Sequence, residues 1–159
     1  MRAVRVGLAV NMPRPMRGRR PRPDSNATLY VFKVALATKQ SLWRRIAVRS
    51  DQTVDDLHAA IFRAFDRFDE HLYLFYLAPP GAMGRAAIRD GVEYTSPVMI
   101  EEADPFPGRP LRNAGTTTID TLGLTAGPTL KYLFDFGDEW WHDLMVEQTD
   151  GKLGPGRYP

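Results

Sequence analysis

The chain has 159 residues, of which 43% are hydrophobic, and it contains no cysteine. This length fits one domain with a sizeable core, and the absence of cysteine excludes disulfides, thiol catalysis and thiolate metal sites. The net charge of +2 hides an asymmetry: residues 1–23 contain seven arginines and no acid, and residues 24–159 contain fourteen basic and nineteen acidic residues.

The N-terminal 26 residues are predicted to form a disordered basic arm, because prolines are interspersed among the arginines. The arm is either a nucleic-acid-binding segment that neutralises phosphates or a solvated leader. Residues 27–159 are predicted to form the folded domain. No apolar stretch approaches the ~20 residues of a membrane span, so we expect a cytoplasmic protein without a membrane partner.

The folded part begins with two alternating apolar segments, residues 29–36 and 42–48, which predict a β-hairpin. A helix follows, with Thr53 as N-cap and Asp56 completing a capping box. Its apolar stripe consists of Val54, Leu57, Ile61, Ala64 and Phe65. Residues 72–77 are apolar on both faces, which favours a strand in the centre of the sheet.

Residues 78–115 are rich in proline and glycine and predict a long irregular connection, with one short strand at 92–94 or at 98–100. A one-turn helix with Ile119, Leu122 and Leu124 comes next, and then a hairpin of residues 129–134 and 144–147. We expect Gly137 to adopt a positive φ in the hairpin turn. The predicted fold is α+β, a single compact domain with a mixed or antiparallel sheet of about five strands, one main helix across it and a grasp-like ββα-β-ββ order.

Residues 131–142 combine three carboxylates, His142 and five aromatic rings, and they carry the strongest chemical signal. The Asp-Phe-Gly triplet at 135–137 also occurs in protein kinases, but the other kinase motifs are absent. Two hypotheses remain for the polar residues. In the structural one, Arg44 pairs with Asp135 or Asp138 among the rings of Trp43, Trp140 and Trp141.

In the second hypothesis, histidines and carboxylates converge to bind or catalyse, with His58, His71, Asp135, Asp138 and His142 as the residues of a metal-dependent enzyme. No pair has the spacing of a helical metal-binding motif, so neither a metal nor another cofactor is expected. The structural or binding cluster predicted from both hypotheses consists of Trp43, Arg44, His58, His71, Asp135, Asp138, Trp140 and His142. No catalytic residue is assigned.

Several separated motifs give the chain a family resemblance. They lie at residues 30–34, 42–45, 53–58, 71–75, 117–124 and 132–142. In this order they resemble the proteins named after the third open reading frame of a root-inducing plasmid, also described as insertion-element passenger proteins of TnpR type. The resemblance implies a compact α+β domain associated with plasmids and mobile elements, without a defined reaction.

The resulting prediction is an accessory or interaction domain of unknown biochemical activity. The alternative is a metal-dependent enzyme or a nucleic-acid-binding protein that uses the histidine and aspartate cluster and the basic arm. The partner class remains open between a protein and a nucleic acid bound through the arm.

Overall fold

The structure is a computed structural model that describes residues 26–102 and 110–154, so residues 1–25 of the predicted arm lie outside it. Its strands are β1 (Leu29–Leu36), β2 (Lys39–Arg49), β3 (Tyr73–Leu77), β4 (Val92–Thr95), β5 (Leu111–Asn113), β6 (Gly127–Phe134) and β7 (Trp140–Gly151). Its helices are α1 (Val54–Ala64), α2 (Gly84–Arg89) and α3 (Pro97–Glu102), with a 3₁₀ turn at Asp120–Leu122. None of the helices in these two ranges has the length and hydrophobicity needed to cross a membrane.

The seven strands of the described residues form one sheet in the order β2-β1-β7-β6-β3-β4-β5. Neighbouring strands are antiparallel except for β4 and β5, which run parallel, so the sheet is mixed. β7 lies between β1 and β6 and joins the N-terminal hairpin to the rest of the sheet. β2 lies at one edge, and β3 is central as predicted.

Helix α1 packs across one face of the sheet through Leu57 and Ile61, which are almost fully buried. The same core contains Phe32 and Val34 of β1 and Leu144 of β7. These strand residues alternate with more exposed ones, as a half-buried sheet requires. The predicted helix start is confirmed, because Thr53 and Asp56 form the capping box.

The sheet has seven strands and not about five, and three short helices replace the single main helix. The prediction was wrong for residues 78–115, where α2, β4, α3 and β5 lie. Of the two alternative strands, the one at 92–94 is confirmed, and residues 98–100 belong to α3. The grasp-like ββα-β-ββ order is therefore too simple, because additional elements lie between β3 and the last hairpin.

The capping box gives a prediction about stability. Thr53 Oγ1 accepts the Asp56 amide at 3.1 Å, and the Asp56 carboxylate accepts the Thr53 amide at 2.9 Å. Thr53→Ala should lower the free energy of unfolding by about 1 kcal/mol, because the helix N-terminus loses an acceptor. Urea denaturation would measure this, with the exposed Thr125→Ala as control. Equal losses for the two variants would contradict the assignment.

Candidate functional site

The predicted cluster is divided among three places in the structure. His58 and His142 lie in the interior between α1 and the sheet. His71, Asp135, Asp138 and Trp140 line a cavity at the last hairpin. Trp43 and Arg44 lie on the edge strand β2. The structure brings His71, Asp135, Asp138 and Trp140 together and places the other four residues elsewhere.

His58 projects from α1 into a set of aromatic and polar side chains. Its Nδ1 lies 2.8 Å from the Tyr132 hydroxyl, and its ring stacks on Tyr73 with centroids 3.9 Å apart. The Tyr73 hydroxyl donates a hydrogen bond of 2.5 Å to the Asp55 carboxylate. These contacts attach α1 to β3 and β6, so the residues have a packing role.

His142 lies on β7 with only 1% of its surface exposed. Its Nδ1 donates to the Trp140 carbonyl at 3.0 Å, and its Nε2 has no hydrogen-bond partner among the described residues. The ring packs edge-on against Phe65 at 4.9 Å and lies 5.3 Å from the ring of Tyr132. The Nδ1 bond selects the neutral tautomer with its proton on Nδ1.

Burial lowers the pKa of His58 from 6.5 to about 4, and burial is also the main reason that the pKa of His142 falls to about 4. Burial raises the pKa of Tyr73 above its ordinary value, and the Asp55 carboxylate raises it further. Burial also raises the pKa of Tyr132. At neutral pH these four side chains are therefore uncharged, which suits an apolar interior.

The turn of the last hairpin is stabilised by its own first carboxylate. Asp135 adopts a left-handed backbone with φ of 58°, and its Oδ1 accepts the amide of Gly137 at 3.0 Å. Asp135 Oδ2 lies 3.6 Å from His71 Nε2. The prediction of a positive φ at Gly137 was wrong: Asp135 and Glu139 adopt that conformation, which aspartate tolerates because it bonds locally.

The histidines and carboxylates do not converge on a metal. Within residues 26–102 and 110–154, no group of three or more His, Asp or Glu side chains is arranged to hold one. His58 and His142 contact Tyr132 from the interior, whereas His71 pairs with Asp135 at the surface. The metal-dependent alternative therefore lacks a ligand set in this part of the chain.

The cavity at the last hairpin has a volume of about 260 Å³ and contains a residue that sequence reasoning missed. The Arg67 guanidinium lies 4.2 Å from the ring centroid of Trp140 and 5.7 Å from that of Phe134. The loop between α1 and β3 places Arg67 there. The adjacent Phe68, 87% exposed, and the loop aspartates Asp66 and Asp69 also line the cavity, and the sequence did not single them out.

The predicted pairing of Arg44 with Asp135 or Asp138 was wrong. Arg44 Nε donates to the carbonyl of Ala64 at 3.0 Å, and its NH1 group donates to the carbonyl of Trp43, also at 3.0 Å. Its guanidinium lies 5.4 Å from the ring centroid of Phe65. Arg44 therefore caps the C-terminal end of α1, where a cation is favourable.

The edge strand β2 is basic and partly exposed. Its basic residues are Lys39, Arg44, Arg45 and Arg49, and it contains no acidic residue. Trp43 is 39% exposed, and two cations lie near its ring, Lys33 Nζ at 5.1 Å and the Arg45 guanidinium at 5.5 Å from the centroid. Arg45 also pairs with Glu147 of β7.

The lowered pKa values of the buried His142 and the half-buried His58 predict that the domain loses stability in mild acid. Their folded pKa values of about 4 lie below 6.5, so the unfolded chain binds protons more readily. Their stabilising contribution is complete above pH 6.5 and is lost as the pH falls towards 4, on the order of 3 kcal/mol for each. Urea denaturation at several pH values would measure this loss.

His58→Gln tests the assignment, because it should reduce the dependence of stability on pH even if it lowers stability at pH 7. His71→Gln, at an exposed position, is the matched control. An unchanged pH dependence in His58→Gln would show that His58 does not couple folding to protonation.

The observed partners of Arg44 predict a moderate effect of its removal. Arg44→Ala should lower the free energy of unfolding by about 1 to 2 kcal/mol, since a charged hydrogen bond to the helix end is lost. The double variant with Asp135→Asn should show additive losses, because the two residues share no partner. Thermal and urea denaturation would measure both, and a large coupling energy would contradict the observed geometry.

Comparison with known proteins places this fold in a family. The family model described as plasmid pRiA4b ORF-3-like protein matches residues 28–159. The crystal structure of the protein of unknown function MM3350 from Methanosarcina mazei Go1 is similar, with a TM-score of 0.65, 25% identity, and coverage of 85% of this chain and 68% of that one. No functionally curated protein matches significantly. The chain therefore belongs to the family of plasmid pRiA4b ORF-3-like proteins.

Proposed function

We propose that the chain is an accessory domain of plasmids and mobile elements that acts by binding a partner protein, and that β2, the edge strand of the sheet formed by the described residues, receives an acidic, extended segment of that partner. The observation that carries the proposal is an 11-residue strand at the edge of the sheet with four basic and no acidic residues. An edge strand offers backbone donors and acceptors to an added strand.

Charge supports an acidic partner. Residues 24–159 contain fourteen basic and nineteen acidic residues, a net charge of −5. β2 is therefore a basic segment in an acidic domain. Arg45 and Arg49 have carboxylate partners, so part of the positive charge of β2 is neutralised within the domain. Complementary charge would then contribute more to the association rate and to specificity than to affinity.

Trp43 supplies an anchor for such a partner. Exposed tryptophan and arginine side chains are enriched among the residues that dominate binding energy. The cations of Lys33 and Arg45 already lie near the indole ring, which restricts their motion before binding. An acidic side chain next to the indole could then meet two cations at once.

The same features disfavour other occupants of this edge. A second copy would align two strands of like charge, which destabilises pairing. The arginine-rich segment of the chain itself carries the same sign. Single-stranded nucleic acid could stack on Trp43 and neutralise the cations, but it cannot use the backbone groups of the edge. The nucleic-acid alternative through the arm concerns residues outside the structure.

A peptide that alternates glutamate with valine should bind the full chain, with affinity that falls as salt is raised. Trp43→Ala should weaken binding by about tenfold or more if Trp43 is the anchor. Phe136→Ala is the matched control, because Phe136 is 38% exposed and lies in the last turn. Titration calorimetry would measure affinity, and hydrogen exchange should show added protection at residues 39–49.

Three results would contradict the proposal. The first is that a lysine-valine peptide binds as tightly as the glutamate peptide. The second is that Trp43→Ala binds the glutamate peptide with unchanged affinity. The third is that oligothymidine binds more tightly than the acidic peptide, which would favour the nucleic-acid alternative.

A further inference from the structure

Among residues 26–102 and 110–154, the guanidinium of Arg67 has no charged partner, although four aspartates line the same cavity. In the part of the chain that the structure describes, its contacts are the aromatic faces of Trp140 and Phe134, and its side chain forms no ion pair or hydrogen bond. By contrast, Arg45, Arg49 and Arg89 each bind a carboxylate. Stacking on Trp140 leaves the N–H groups at the edge of the guanidinium plane available to a ligand.

Arg67 lines the cavity of about 260 Å³ at the last hairpin. Phe65, Phe134 and Trp140 contribute apolar surface to its walls, and four aspartates contribute negative charge: Asp66, Asp69, Asp135 and Asp138. Asp135 is already engaged by His71 and the turn amides. Asp66, Asp69 and Asp138 are exposed.

These groups restrict the kind of ligand that fits. A simple anion would pair with Arg67 but would be repelled by the aspartates. A simple cation would be attracted by the aspartates but would leave Arg67 without a partner. A molecule with both charges satisfies both, and an apolar body between its charged ends can pack on the aromatic walls.

We propose that this cavity binds a small zwitterion in which a short apolar chain separates a carboxylate from an ammonium group. The carboxylate pairs with the fork of Arg67 in the two-point geometry that guanidinium favours. The ammonium group lies against Asp138 and the exposed aspartates of the preceding loop. The stack on Trp140 holds Arg67 in place beforehand, which reduces the entropy lost on binding. This site does not depend on β2.

The buried neighbours of Arg67 provide an internal readout. The positive charge of Arg67 contributes to lowering the pKa of His142, after the larger effect of burial, and it also acts to lower the pKa of Tyr132. A ligand carboxylate paired with Arg67 compensates that charge. Binding should therefore act to raise the pKa of His142, and NMR spectra recorded near neutral pH, where the domain is folded, can follow the ring signals of His142 as ligand is added.

The test compares three probes that share one carbon chain: 6-aminohexanoate, hexanoate and hexylamine. We expect 6-aminohexanoate to cause saturable shifts in the amide signals of Phe68, His71 and Asp138. Hexanoate and hexylamine should bind at least about tenfold more weakly, since each lacks one charged contact. Arg67→Gln should abolish the preference for 6-aminohexanoate over hexylamine, whereas Arg63→Gln, exposed in the last turn of α1, should retain it.

Asp138→Asn gives a second test at an exposed turn position, in case Arg67→Gln does not fold. It should weaken the binding of 6-aminohexanoate and leave the binding of hexanoate unchanged or slightly stronger. Absence of saturable shifts with 6-aminohexanoate would overturn the proposal. Equal binding of hexylamine and 6-aminohexanoate would also overturn it, because attraction to the aspartates would then explain all of the binding.

Discussion

The antiparallel pairing of β7 with β1 is the contact on which the whole domain depends. In the described part of the chain, β7 is the strand that links the hairpin of β1 and β2 to β6 and the strands that follow it in the sheet. The pairing joins distant parts of the chain: Val34 of β1 lies opposite Leu144 of β7. Across β1, the ion pair of Arg45 and Glu147 links β2 to β7 over 102 residues. That ion pair is exposed and contributes little to stability, so the apolar contacts of Phe32, Val34, Leu144 and Val146 must offset the entropy of closing the long loop. Such non-local pairing favours slow folding.

Helix α1 adds polar contacts to this apolar framework. His58 and Tyr132 share a hydrogen bond, and Tyr73 reaches Asp55, so polar groups on the buried side of α1 find partners in the sheet. A buried polar group without a partner is costly, and these pairs fix how the helix lies on the strands. The histidines and aromatic residues that suggested chemistry in the sequence therefore take part in packing. The available polar chemistry lies at the surface, around β2 and the last hairpin.

Local patterns predicted the elements that they control directly. The capping box at Thr53, the alternation in β1 and the apolar run of β3 each specify one element, and all three are observed. Short elements were missed, because α2 and the three-residue β5 contain too few residues to show a period.

The partner of Arg44 was missed for another reason: Ala64 offers a backbone carbonyl, which every residue has. No residue type could have indicated it. Arg67 was likewise inconspicuous, because its position over Trp140 depends on how the loop after α1 meets β7.

The two surfaces proposed to bind ligands meet at one contact. Arg44 belongs to β2, and its guanidinium packs on Phe65, which lines the cavity beneath Arg67. Coupling between two sites requires an element with two arrangements that the ligands stabilise unequally. Arg44 is held by two backbone carbonyls, those of Ala64 and Trp43, and the structure shows this one arrangement. Occupation of the cavity should therefore leave the β2 edge unchanged, and the two sites should bind independently.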